Sequence, residues 1–176
     1  ERIIGQDFLR LRLDRIFPGE FGLIGNFPYN ISSQILIKML DNYRQIPEMV
    51  GMFQKEVAER VLAGPGSKIY GVIGVLVQLR YQVSLCFNVG PGNFSPPPKV
   101  QSAVIRCQRL AQPLVSEADY GPCKRIIKAA FSQRRKMLRN SLKGILPEEL
   151  LANDPFFTRR PEQVSVVEFV GLLVHY

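Results

Sequence analysis

The chain has 176 residues, of which 46% are hydrophobic, and a formal net charge of +8. This length fits one domain, or one domain with a small appendage, and no apolar run reaches the ~20 residues that span a bilayer. Three widely spaced cysteines exclude a disulfide framework or a zinc site, and the single histidine, His175, argues against histidine-based catalysis. We therefore expect a globular cytoplasmic protein without a metal, whose cysteines are reduced and buried.

The first hundred residues alternate between strand and helix patterns. In chain order they predict strands at 3–4 and 22–25, a helix at 32–42, a strand at 48–53, a helix at 56–62, and strands at 83–89 and 102–107. Ser32 or Ser33 would cap the first helix, and residues 71–81 fit either a helix or a strand. Residues 90–99 contain four prolines and predict a rigid loop. The alternation is typical of an α/β sheet.

Only helical patterns follow Pro113. Four apolar residues at helical spacing share one face of a helix, or of two successive helices: Ile127, Phe131, Leu138 and Leu142. Pro147 begins a short helix and Pro161 precedes a last one. The sequence therefore predicts an α/β domain over residues 1–110 and a small helical domain over residues 111–176.

The positive charge is concentrated in one segment. Residues 120–143 hold eight of the 23 basic residues and no acidic one, whereas the rest of the chain carries equal numbers of basic and acidic residues. A solvated helix face usually includes acids that pair with the bases. A cationic stripe on an otherwise neutral chain therefore favours binding to a polyanion.

Asn26-Phe27-Pro28-Tyr29 directly follows a predicted strand, where open α/β sheets bind ligands. Asn26 offers a side-chain carbonyl oxygen. Pro28 favours an extended Phe27, whose carbonyl can then face a pocket, and Tyr29 offers a flat face for a base. Two acceptors that converge on the exocyclic amine of adenine would free its lone pair for attack on an electrophilic methyl group. The four residues alone also fit an ordinary turn after a strand.

Five blocks of sequence, in order and in spacing, resemble the ribosomal small-subunit RNA adenine dimethyltransferase family. The blocks are NFPYNIS (26–32), QKEVAER (54–60), SKIYG (67–71), FSPPPKVQSAV (94–104) and FSQRRKMLRNSL (131–142). The resemblance runs from about Ile4 to the C-terminus, and five blocks in register are far more specific than any one of them.

This resemblance implies a Rossmann-like class I methyltransferase domain followed by a small all-helical RNA-binding domain. It implies S-adenosyl-L-methionine as the methyl donor. The implied substrate is two adjacent adenines near the 3′ end of small-subunit ribosomal RNA, each dimethylated at N6 during ribosome biogenesis. The implied partner is the small ribosomal subunit, and we expect a monomer that uses neither a membrane nor a metal.

The matching positions carry the family's roles over to this chain. Asn26 and the Phe27 carbonyl would hold the target amine, Tyr29 would stack on the base, and Phe94 would close its other side. Asp7 and Asn26 would contact the cofactor. The residues expected to bind RNA phosphates are Lys55, Arg60, Arg134, Arg135, Lys136 and Arg139. Simpler explanations are a core aromatic for Phe94, a turn residue for Asp7, and solvated surface for Lys55 and Arg60.

The chain departs from the family at its start. It lacks the Gly-rich cofactor loop and matches the family only from the third strand, so we expect a sheet without its first strands. The main alternative is therefore an inactive fragment, or a non-catalytic RNA-binding or assembly factor. A third interpretation is the related antibiotic-resistance methyltransferase that acts on the large subunit, but the PPPK and QRRK blocks favour the small-subunit branch.

Overall fold

The computed structural model describes residues 3–176. This part of the chain divides into two compact units. The first contains the residues up to Ala58 together with Gln82–Arg109, and the second contains Glu59–Tyr81 together with Leu110–Tyr176. Most of the strands belong to the first unit and most of the helices to the second. None of the described helices has both the length and the apolar character needed to cross a membrane.

The described strands form one mixed sheet. They are β1 (Leu23–Asn26), β2 (Glu48–Gln54), β3 (Tyr81–Val89) and β4 (Ser102–Arg109), in the order β1-β2-β4-β3. β1 and β2 are parallel and are connected through a helix, as parallel pairing requires, whereas β2 and β4 are antiparallel. Asn26 lies beside Met52, and Ser102 lies beside Gln54. The last residue of β1 and the first residue of β4 therefore lie at the same end of the strands.

Eight α-helices lie within the described residues: α1 (Leu13–Ile16), α2 (Ser32–Asp41), α3 (Lys55–Leu62), α4 (Val72–Gln78), α5 (Glu117–Ser132), α6 (Leu138–Ser141), α7 (Glu148–Asn153) and α8 (Val166–Gly171). Short 3-10 helices cover Phe8–Arg10, Tyr29–Ile31, Pro91–Asn93, Pro155–Thr158, Pro161–Gln163 and Leu172–His175. The second of these begins inside the NFPYNIS block and leads directly into α2.

The sheet and α2 supply the core of the first unit. β2 alternates between half-buried residues and the buried Met49, Gly51 and Phe53, which is the period of a strand with one face inward. α2 buries four large side chains at helical spacing: Ile35, Leu36, Met39 and Leu40. Burying one such side chain stabilises the fold by about 1.5–3 kcal/mol, so α2 is held firmly and can position the turn before it.

In the second unit, α3 and α4 approach each other closely at Gly74. A Cβ atom on Gly74 would stand 2.4 Å from the carbonyl oxygen of Arg60, so only glycine permits this approach. The Gln78 amide donates to the carbonyls of Val61 at 2.8 Å and Ala63 at 3.0 Å, which satisfies the end of α3. These contacts fix the part of α3 that carries Arg60.

α8 begins with a complete capping box. The Ser165 hydroxyl accepts from the Glu168 amide at 3.2 Å, and the Glu168 carboxylate accepts from the Ser165 amide at 2.7 Å. Arg159 also donates to this carboxylate at 2.6 Å. The hydrogen bond from Arg159, followed by that from the Ser165 amide, lowers the pKa of Glu168 to about 2.

The predicted alternation of strands and helices is confirmed for the strands at 22–25, 48–53, 83–89 and 102–107 and for the helices at 32–42 and 56–62. Residues 71–81, whose pattern fits both states, contain α4. The helical face of Ile127, Phe131, Leu138 and Leu142 belongs to two successive helices, α5 and α6 with its flanking turn. Residues 111–176 contain helices and no further strand among those described.

Three details of the prediction are wrong. Ile3 and Ile4 form no strand, and Gln6 instead donates to the Ile4 carbonyl in a turn. Neither Ser32 nor Ser33 caps α2, because the Ser32 hydroxyl donates backwards to the Tyr29 carbonyl at 2.9 Å and Ile31 takes the cap position. Cys86 is exposed, since it lies on β3 at the edge of the sheet, whereas Cys107 and Cys123 are buried as predicted.

Candidate functional site

A cavity of about 360 Å³ opens at the carboxyl end of β1. Its lining residues are Asn26, Phe27, Pro28, Tyr29, Phe94, Pro96 and Pro98. The structure thus brings the tetrapeptide and the distant Phe94 to one place, together with two prolines of the loop that follows β3. All of these residues belong to the first unit.

The Phe27 ring packs against two glycines. Gly25 of β1 and Gly51 of β2 lie side by side in the sheet. A Cβ atom on Gly25 would come within 2.6 Å of the Phe27 ring, and one on Gly51 within 2.7 Å. The ring also lies 5.4 Å from that of Phe53, centroid to centroid. The side chain of Phe27 is therefore locked against the sheet, which fixes the backbone of the tetrapeptide.

The backbone after Phe27 is fixed by local hydrogen bonds. Ile31 donates to the Pro28 carbonyl at 3.2 Å, and the Ser32 hydroxyl donates to the Tyr29 carbonyl at 2.9 Å. These two bonds use the carbonyls of Pro28 and Tyr29 but not that of Phe27. Asn26, at the exposed end of β1, also lines the cavity. Two carbonyl oxygens, one from the Asn26 side chain and one from the Phe27 backbone, are thus the acceptors that this segment can offer.

Tyr29 is held by a residue far along the chain. Its hydroxyl lies 2.5 Å from the Ser102 hydroxyl oxygen, and either oxygen can donate. Ser102 is fully buried at the start of β4, whereas Tyr29 is half-buried. The hydrogen bond therefore connects the ring that lines the cavity to the interior of the sheet.

Phe94 lies on a loop that is rigid for local reasons. Its amide donates to the Pro91 carbonyl at 3.2 Å, and the Asn93 side chain donates to the Gly90 carbonyl at 3.1 Å. Further along the loop, Pro96 and Pro98 each have a φ fixed by the proline ring. Phe94 is half-buried and lines the cavity rather than filling the core.

The cavity can therefore bind a flat heteroaromatic ring that carries a hydrogen-bond donor. Its lining residues offer aromatic and proline side chains and the side-chain amide of Asn26, and none of them carries a carboxylate, imidazole or amine. The buried cysteines offer no nucleophile either, because burial raises the pKa of Cys107 to about 12 and that of Cys123 to about 11. Within the described residues there is no cluster of His, Cys, Asp and Glu that could hold a metal ion.

Asp7 is placed outside this lining. It caps the 3-10 helix Phe8–Arg10, where its carboxylate accepts from the Leu9 amide at 2.9 Å and lies 3.5 Å from Arg10. The Lys38 amine on α2 donates to the carbonyls of Leu9 and Leu11. The segment after Asp7 is thus tied to α2, and the carboxylate itself remains half-exposed.

The predicted RNA-binding residues differ in how they are held. The Lys55 amine donates to the Gln101 side chain at 3.2 Å. The Arg134 guanidinium donates to the Lys68 carbonyl. Arg135 and Lys136 are exposed in the turn after α5, and Arg139 is exposed on α6.

Basic residues line three further cavities of the second unit, of which two are larger than the third. One, of about 490 Å³, is lined by Arg60, Lys68, Arg134 and apolar neighbours. The other, of about 530 Å³, is lined by Arg139, Asn140, Lys143, Glu148, Leu151 and Ala152. Both cavities are rich in cations, which suits an anionic ligand.

Sequence reasoning missed Gly51, Ser102 and Lys68. Gly51 and Ser102 act on the cavity only through Phe27 and Tyr29, and Lys68 offers its carbonyl to Arg134. The single signal for Ser102 was its place in the FSPPPKVQSAV block, which gives no hint of a partner 73 positions away.

Two solved structures share the fold of this chain. A dimethyladenosine transferase from Plasmodium falciparum has a TM-score of 0.78 and 25% identity, over 96% of this chain and 70% of its own. The 23S rRNA methyltransferase ErmE has a TM-score of 0.69 and 23% identity, over 98% of this chain and 71% of its own. The predicted class, a Rossmann-like methyltransferase fold with a helical region, is confirmed.

A family profile described as ribosomal RNA adenine dimethylase matches residues 2–157, and this chain belongs to that family. Two relatives named ribosomal RNA small subunit methyltransferase A come from Bacteroides fragilis and Porphyromonas gingivalis. The first is 53% identical over 174 residues and the second 48% over 180, in each case 98% of this chain. The chain spans 64% of the length of the first relative and 67% of the second.

Proposed function

We propose that this chain carries the target-adenine site and the RNA-binding surface of an S-adenosyl-L-methionine-dependent ribosomal RNA adenine N6,N6-dimethyltransferase. The proposed substrate is two adjacent adenines near the 3′ end of small-subunit RNA, modified during ribosome biogenesis. The observation that carries the proposal is the cavity in which Asn26–Tyr29 and Phe94 meet. The named relatives act on the small subunit by their names, which supports this branch over the large-subunit alternative.

The chemistry follows from the lining. An aromatic amine is a weak nucleophile, because its lone pair is delocalised into the ring. In the proposed mechanism, the Asn26 side-chain oxygen and the Phe27 carbonyl accept hydrogen bonds from the amine N–H groups, which draws the nitrogen towards tetrahedral geometry and takes its lone pair out of conjugation with the ring. The same oxygens would stabilise the positive charge that develops on nitrogen as its bond to the methyl group forms and the methyl–sulfur bond of the donor breaks. The methylated nitrogen would then lose one proton to water, which leaves it neutral for the second methylation. Tyr29 and Phe94 hold the base between them, so that the amine stays in line for attack.

The residues present fit two contacts with the methyl donor, whose role is to supply an electrophilic methyl group. Asp7 keeps a half-exposed carboxylate, which can accept from the donor's adenine amine while it caps its own turn. Asn26 is exposed at the end of β1, where its amide can contact the donor as well as the target. We assign no other residue of this chain to binding of the donor.

The second part of the proposal concerns RNA. We assign phosphate contacts to Lys55, Arg60, Arg134, Arg135, Lys136 and Arg139, with residues 1–110 as the methyltransferase domain and 111–176 as the RNA-binding domain. The cation-lined cavities of the second unit support this assignment. A monomer in the cytoplasm, bound to small subunits in assembly, is the corresponding physiological setting.

The test is transfer of labelled methyl groups from S-adenosyl-L-methionine to undermethylated small ribosomal subunits. Wild-type chain, Asn26→Ala and the matched control Asn88→Ala, an exposed asparagine on β3, are compared. Incorporation that Asn26→Ala abolishes and Asn88→Ala preserves supports the enzyme. Salt-sensitive subunit binding without transfer identifies the chain as a non-catalytic RNA-binding part, and transfer to large subunits alone overturns the small-subunit assignment.

A further inference from the structure

We propose that Ser102 is a positioning residue that holds the ring of Tyr29 at the place from which it stacks on the target base. The inference rests on the proposed function and adds to it a residue from another part of the chain. Its basis is the hydroxyl-to-hydroxyl distance of 2.5 Å between the two side chains.

Ser102 is suited to this task because the sheet and the core hold it in place. It is the first residue of β4, a strand with neighbours on both sides, and pairs with Gln54 of β2. Its side chain is fully buried. The next residue, Ala103, is buried as well, so the start of the strand is set in the core. A hydroxyl in this position is a fixed point to which Tyr29, a residue of the cavity lining, is bound.

Tyr29 is the part that needs to be fixed. Its backbone is already held, since its carbonyl accepts from Ser32 and the 3-10 helix Tyr29–Ile31 continues into α2. The remaining freedom is rotation about the side-chain bonds. The bond to Ser102 holds the hydroxyl end of the ring and therefore restricts χ1, the swing of the ring towards or away from the cavity. A stacking ring must present its face to the base at the same moment as the amine meets its acceptors. The hydroxyl of Tyr29 therefore acts as a tether, and the ring makes the contact.

The expected energetics are those of one neutral hydrogen bond. Such a bond changes an equilibrium by about two- to tenfold. Loss of the tether lets the ring swing away from the cavity, so it weakens the recognition of the base but leaves the phosphate contacts intact. Removal of either hydroxyl breaks the same bond, and removal of both adds nothing further.

The experiment is a double-mutant cycle read by base-dependent binding. The full chain, Ser102→Ala, Tyr29→Phe and the double variant are titrated with a short single-stranded RNA that contains one adenine. Each is also titrated with the same RNA in which that adenine is abasic. The ratio of the two affinities isolates the contribution of the cavity. Ser84→Ala, which removes an exposed hydroxyl from β3, is the matched control, and thermal unfolding of each variant reports on the fold.

We expect the affinity ratio to fall about fivefold in Ser102→Ala, equally in Tyr29→Phe, and no further in the double variant. Ser84→Ala should keep the wild-type ratio. Losses that add in the double variant, or an unchanged ratio in Ser102→Ala, overturn the positioning role while the base cavity stands. A wild-type chain that binds both RNAs equally overturns the base cavity itself, and the role of Ser102 with it.

Discussion

The tetrapeptide cavity and the basic segment at residues 124–143 hold their polar groups in different ways. In the cavity, the Phe27 ring is seated on two glycines and the Tyr29 hydroxyl is bound to Ser102. In the basic segment, Arg135 and Lys136 are exposed. The first region is arranged for one geometry, and the second offers charge over a surface. Removal of one polar group should therefore cause a large loss of function in the cavity and a small loss in the basic segment.

The largest effect is expected from Asn26→Ala. Removal of one preorganised polar group from a site of this kind costs about 100- to 1,000-fold in rate. RNA affinity should fall far less, by about the two- to tenfold of one hydrogen bond, because phosphate contacts supply most of it. Single-turnover methyl transfer and equilibrium binding measure the two quantities separately. A parallel loss of both would mean that the two regions are not distinct in function.

Gly51→Ala tests the packing of the Phe27 ring against the sheet. The added Cβ would approach the rings of Phe27 and Phe53 to within 2.7 Å, so one ring must move. We expect a loss of about 1–3 kcal/mol in the free energy of unfolding, from denaturant titration, as for other overpacked cores.

Phe27→Leu in the same chain supplies the matched test, because the smaller side chain makes room for the new methyl group. It should restore part of the stability lost in Gly51→Ala. Equal stability of the single and double variants would mean that Phe27 is not the residue displaced.

Arg135→Ala and Arg134→Ala compare an exposed charge with a charge that also makes a hydrogen bond within the fold. Each should weaken RNA binding and reduce the dependence of log affinity on log salt by about one unit. Arg134→Ala should also lower the melting temperature, since Arg134 donates to the Lys68 carbonyl. A melting temperature that falls equally in both variants would contradict the structural role of Arg134.

The smallest effect concerns Glu168, whose folded-state pKa of about 2 is below the value of 4.5 for a free glutamate. Its stabilising effect is therefore complete above pH 4.5 and is lost as the pH falls through 2. The side chain is 38% exposed, so solvent screening limits the effect to at most about 1 kcal/mol. Glu168→Gln should lower the thermal unfolding temperature at pH 7 and leave it nearly unchanged at pH 2. An equal decrease at both pH values would point to lost capping rather than lost charge.

Periodicity was sufficient for the elements that bury one face, such as β2 and α2, because burial imposes the pattern directly. It failed at Ile3 and Ile4, since two apolar residues do not distinguish a strand from a turn. The lining of the cavity was predictable where the residue stands in one of the five blocks that resemble the family, as at Asn26 and Phe94. The cavity was not predictable for Gly51 and Ser102, whose roles depend on the register of β2 with its neighbours.

The lining of the cavity contains no carboxylate, imidazole or amine. A reaction carried out there draws on the geometry of its acceptors and needs no catalytic group to be in one particular protonation state. If the proposed chemistry holds, these two acceptors keep the same charge, and so the same hydrogen bonds to the amine, across the pH range in which the protein is folded.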